Sequence, residues 1–100
     1  MRVSVVEAWR VLYEGNVDEV LLPGEDGEVC VLDFHHPFLY RLRKGAIQLM
    51  RRTTREGTRA LGGREVESRI LIADGVAKMT GNELVILVDT PSPIAQGRGG

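Results

Sequence analysis

Cysteine occurs once in these 100 residues. A single thiol cannot close an internal disulfide, which excludes a stapled secreted scaffold and fits a reducing compartment. Cys30 stands in Val29-Cys30-Val31-Leu32, where it is expected to act as a small buried hydrophobe. Long apolar runs are also missing. Nothing approaches the roughly 20 apolar residues of a membrane span, and Met1-Arg2-Val3-Ser4-Val5-Val6-Glu7 holds too short an apolar run for a signal sequence, so a soluble, cytoplasmic chain is expected. Excess charge of one sign is absent: 13 Lys and Arg stand against 14 Asp and Glu, for a formal net charge of -1. Such a balance gives no overall pull toward nucleic acid or anionic membrane. Helical periodicity, internal repeats and coiled-coil heptads are lacking as well.

What remains is strand material. Hydrophobic residues at 43% and charged residues at 27% are ordinary for a globular domain. A chain of this length buries roughly two-thirds of its unfolded surface around one core. Residues 2–6 and 9–13 are rich in valine and aromatics, Glu14-Gly15-Asn16 reads as a turn, and Val17–Leu22 follows as a strand. Val29–Leu32, Ala46–Arg52, Val66–Ala73, Val76–Thr80 and Leu84–Val88 complete the series, with Asp74-Gly75 as a turn and Gly81-Asn82 as a two-residue hairpin with positive φ. Phe38–Arg43 is too short to separate strand from helical period and is read as irregular. Residues 53–65 read as a mobile, glycine-rich loop. The expected fold is all-β, an antiparallel two-sheet β-sandwich of many short strands over residues 1–90, with a flexible Pro/Gly-rich tail over 91–100.

Catalytic and metal chemistries find little support. His35 and His36 are adjacent, so on an extended segment they point to opposite sides, and no second cluster supplies further ligands. Cys30 lacks a partnering base, and no glycine-rich loop opens a helix to cradle phosphate. The arginines between Arg51 and Arg64 lack interleaved aromatics for single-stranded nucleic acid. One feature points to a partner. Ile70-Leu71-Ile72 and Leu84–Val88 are apolar at every position, whereas a sandwich strand with one solvated face alternates. Either the sandwich geometry shields the second face, or another protein covers it.

The most informative stretch is Val17–Gly45. Two apolar runs flank Pro23-Gly24-Glu25-Asp26-Gly27, a turn carrying negative charge on a projecting tip. Val17, Val20, Gly24, Gly27, Glu28, Leu32, His35, Pro37, Leu39 and Gly45, together with Gly81-Asn82-Glu83 through Asp89-Thr90, resemble the amino-terminal domain of F-type ATP synthase epsilon subunits.

That resemblance implies a non-catalytic rotor subunit needing no cofactor or metal. It would link the gamma subunit to the membrane ring of c subunits and lie peripherally on the inner face of the membrane. By position, Asp26, Gly27 and Glu28 would face the c ring, and Glu7, His35 and Tyr40 the gamma subunit. The family's Pro-Gly before the histidine is Asp33-Phe34 here, a replacement expected to remove a turn. The Pro/Gly-rich end opposes the family's two carboxy-terminal helices, so no helical brake and no ATP site are expected. The alternative reading is a free-standing sandwich adaptor that binds an acidic ligand or nucleic acid through the Arg51–Arg64 loop.

Overall fold

A computed structural model describes residues 1–52 and 64–91. They form nine strands: β1 Arg2–Glu7, β2 Arg10–Asn16, β3 Glu19–Gly24, β4 Gly27–Leu32, β5 Phe38–Leu42, β6 Gly45–Arg52, β7 Arg64–Ile72, β8 Asp74–Thr80 and β9 Glu83–Asp89. The sheet order is β2-β1-β9-β8-β5-β3-β6-β7, with β4 on the other side of β3. Every ladder is antiparallel except β1 against β9, which is parallel.

The all-β expectation holds, but in place of two separate sheets a single nine-stranded sheet curls on itself. Between β5 and β3 the ladder narrows to one register pair, Gly24 with Leu42. Two backbone hydrogen bonds flank it, Glu25 N–H to the Arg41 carbonyl and Arg43 N–H to the Pro23 carbonyl, both 2.9 Å. One curled sheet thus folds into two halves. Val3, Val5, Ala77, Met79, Leu84 and Ile86 from one half meet Val20, Leu22, Val31, Ile47 and Leu49 from the other in a single core, each fully buried. Strand alternation produces this: along β8 Ala77 and Met79 turn inward, and along β9 Leu84, Ile86 and Val88, with more exposed residues between them. The amino group of Met1 is tied in as well, donating to the Val17 carbonyl at 2.9 Å and pairing with Asp33.

Several boundaries differ from the sequence reading. Phe38–Leu42 is a strand, because Tyr40 and its neighbours pair with β8 along their length. Glycine and asparagine at 15 and 16 continue β2 opposite Val3 and Arg2, and the chain turns two residues later. Asp74 and Gly75 belong to β8, so the bend falls on Ala73. Gly81 and Asn82 adopt φ of 54° and 60°, the two positive angles expected of that hairpin. The loop expected over 53–65 lies outside the described residues up to 63, and so does the tail beyond Pro91.

Cys30 requires a correction. It is exposed, because Val31 takes the core-facing place on β4 and pleating sends Cys30 to the opposite face. There its thiol donates to the carboxylate of Glu19 at 2.9 Å. The turn before His35 also survives. His35 N–H donates to the Leu32 carbonyl at 3.1 Å, and Phe34 supplies the left-handed residue at φ 62°.

Candidate partner-binding surface

The β3–β4 hairpin presents Glu25, Asp26, Gly27 and Glu28, all exposed. Gly24 makes the tight closure possible. A Cβ there would stand 2.6 Å from the Gly27 carbonyl oxygen and 3.1 Å from Val29 Cγ2. The hairpin forms one wall of an open groove of about 410 Å³, and Leu39, Tyr40 and Arg41 of β5 form the other. Asp26, Gly27 and Glu28 are therefore neighbours of Tyr40.

Tyr40 in turn continues a row of rings. It stacks on Phe38 with centroids 4.4 Å apart, and Phe38 meets the edge of His35 at 5.2 Å. The imidazole of His35 donates from Nδ1 to the His36 carbonyl at 2.9 Å. The turn places the two imidazoles edge to face at 5.1 Å, so they do not diverge as an extended segment would have them.

Glu7 stands apart from these residues, at the end of β1 and three strands from β5. Its carboxylate accepts from the Thr90 hydroxyl and, at 3.4 Å, from the Thr90 backbone N–H. It also pairs with Arg10 at 3.1 Å. The Thr90 hydroxyl first, and Arg10 second, hold its pKa below the ordinary carboxylate range. Within this chain Glu7 fastens Thr90, the residue that follows β9, to the β1–β2 hairpin.

A second surface lies on the outer face of the same half-sheet. Register places Arg41 beside Val76, Val76 beside Leu87, Leu87 beside Val6 and Val6 beside Val11. Val76, Leu87 and Val11 are 37%, 54% and 57% exposed. Of the two explanations for the unbroken apolar run in β9, shielding by the sandwich itself therefore fails at Leu87. On β7, Leu71 is 55% exposed and equally uncovered. Sequence reasoning missed Trp9, 95% exposed, since an isolated aromatic in a turn gives no periodic signal; Phe34, which the sequence places near the interface, is 80% exposed. Arg51 is engaged, donating to Glu67 at 2.9 Å, which raises its pKa; the arginine loop beyond Arg52 lies outside the described residues up to 63.

Comparison with known proteins decides the family. The family model for the "ATP synthase, Delta/Epsilon chain, beta-sandwich domain" matches residues 1–93. The chain belongs to that family. ATP synthase epsilon chains from Herminiimonas arsenicoxydans and Maricaulis maris are 30% and 35% identical, over 90% and 92% of this chain. The epsilon chain 2 of Nitrobacter hamburgensis is 34% identical over 93%. The match covers 57%, 60% and 60% of those proteins respectively, so the chain spans somewhat over half their length.

Two solved assemblies share the fold of the family domain. One is the central stalk and c-ring of the Tetrahymena thermophila mitochondrial ATP synthase, with a TM-score of 0.65 and 14% identity over 88% of this chain and 62% of the matched one. The other is the OSCP/F1/c-ring structure from Euglena gracilis, with a TM-score of 0.67 and 16% identity over 97% of this chain and 55% of the matched one.

Proposed function

We propose that this domain is a non-catalytic part of the rotating central stalk of an ATP synthase, gripped by a gamma subunit and by the membrane ring of c subunits. The observation that carries the reading is the coexistence, on a domain of this family, of two unlike exposed surfaces: the acidic hairpin and the apolar row from Val76 to Val11. The hairpin suits the ring, where Glu28 and Asp26 meet guanidinium groups, and a carboxylate accepts such a group bidentately. The apolar row suits the gamma subunit; Phe38 and Tyr40, opposite the core-facing Met79 and Ala77, stand on the other face of β5. A rim ion pair contributes about 0.2–1 kcal/mol, so the carboxylates set orientation while buried apolar area supplies most of the affinity. On this reading the domain lies peripherally at the membrane face that carries the stalk, and performs no chemistry.

The test separates the two grips. Glu28→Ala and Leu87→Lys are each assembled with gamma subunit and c ring. Glu28→Ala is expected to weaken ring coupling and leave gamma capture intact, and Leu87→Lys to do the reverse. Loss of gamma capture by Glu28→Ala, or full gamma capture by Leu87→Lys, contradicts the assignment.

A further inference from the structure

Directly beside the acidic hairpin lies a surface of the opposite sign. The end of β5 and the turn into β6 carry Arg41, Arg43 and Lys44, all exposed. With Asp74 and Glu25 they line a second open groove of about 400 Å³ against the start of β8. The backbone fixes the two grooves edge to edge, because Glu25 N–H bonds to Arg41 and Arg43 N–H bonds to Pro23. Rigid pairing also keeps the charges apart. Among the described residues, Arg41, Arg43 and Lys44 form no ion pair, and neither do Glu25, Asp26 and Glu28. Opposite charges that stand side by side unneutralised make a fixed dipole at this end of the molecule.

Resting on the rotor reading, we infer that the ring-facing surface is bipartite, and that Arg43 and Lys44 seat a carboxylate of the ring's polar loops while Glu28 and Asp26 seat a cation beside it. The matching partner presents both signs at neighbouring positions. An anionic lipid surface fits less well, since the four carboxylates of the two grooves outnumber the three cations and repel it. A two-signed surface also fixes register. A partner docked one position off meets like charge on both halves, which selects against wrong seating more than it raises affinity.

The experiment measures binding of the domain, as a complex with gamma subunit, to detergent-solubilised c ring across a range of ionic strength. Arg43→Glu with Lys44→Glu is expected to lower ring affinity about tenfold at low salt and flatten its salt dependence, with gamma capture and Tm unchanged. Wild-type ring affinity in that variant overturns the inference. If Glu28→Lys also leaves ring binding intact, the rotor reading itself fails; if only Glu28→Lys weakens it, the acidic half stands alone. Vesicles of phosphatidylglycerol supply the last arm. Binding of the wild type to them, lost in the double variant, overturns the inference in favour of lipid phosphate.

Discussion

Phe34 occupies a left-handed backbone position, φ 62°, while 80% of its surface is in water. Left-handed geometry costs a residue with a Cβ about 1–2 kcal/mol. Glycine escapes that strain, but in ordinary backbone it is less stable than alanine by about 0.5–1 kcal/mol, through entropy lost on folding. Comparing Phe34→Gly with Phe34→Ala isolates the backbone. Both variants remove the same exposed ring, and both keep the N–H that donates to Asn82 Oδ1 at 2.6 Å. The strain relief exceeds the entropy term, so glycine is expected to be the more stable by about 0.5–1 kcal/mol, reversing the usual order. For a domain of this size that is a Tm difference of about 2–8 °C, readable by thermal unfolding followed by circular dichroism. An alanine variant at least as stable as the glycine variant refutes the reasoning, because the strain at position 34 would then not exceed the entropy term.

Two further perturbations probe the ties around the surface. The carboxyl of Glu7 is held below its ordinary pKa, so its contribution to stability is complete above the unfolded glutamate value of about 4.3 and is lost as pH falls through the lower folded value. Glu7→Gln is therefore expected to flatten the dependence of denaturant midpoint on pH in that acid window, and an unaltered curve removes Glu7 as its source. Gly24→Ala drives a methyl to 2.6 Å from the Gly27 carbonyl, which is expected to cost about 1–3 kcal/mol and to lower Tm measurably; an unchanged Tm shows that the hairpin relaxes freely.

Strand positions were legible because valine-rich runs and turn residues act locally. Gly81-Asn82 needs no distant information to form its hairpin. Phe38–Leu42 was not legible for the opposite reason: it is held as a strand by β8, some 35 residues later in sequence. Its fate depends on pairing rather than on composition. Cys30 failed similarly. Its neighbours are apolar, yet which of two adjacent strand residues faces inward is set by the register with β3, and one step of pleat separates a buried thiol from an exposed one. The surface was half legible. Glu25, Asp26 and Glu28 announce themselves as charge on a turn, whereas Tyr40, Arg43 and Lys44 join them only because β5 closes against β3 at a single register pair.

That single pair also bears on how a domain of this kind could pass on torque. Among the described residues, the acidic hairpin hangs from the one place where the two half-sheets are laddered together, with Glu25 bonded to the carbonyl of Arg41. Arg41 begins the cross-strand row that continues through Val76, Leu87 and Val6 to Val11. A force applied at the hairpin therefore enters a chain of backbone hydrogen bonds that runs straight to the apolar face, without crossing a loop. The filled core behind those strands resists shear between them, since close-packed side chains have no free volume into which to slide. Stiffness between the hairpin and the apolar face is thus a property of the ladder and its packing.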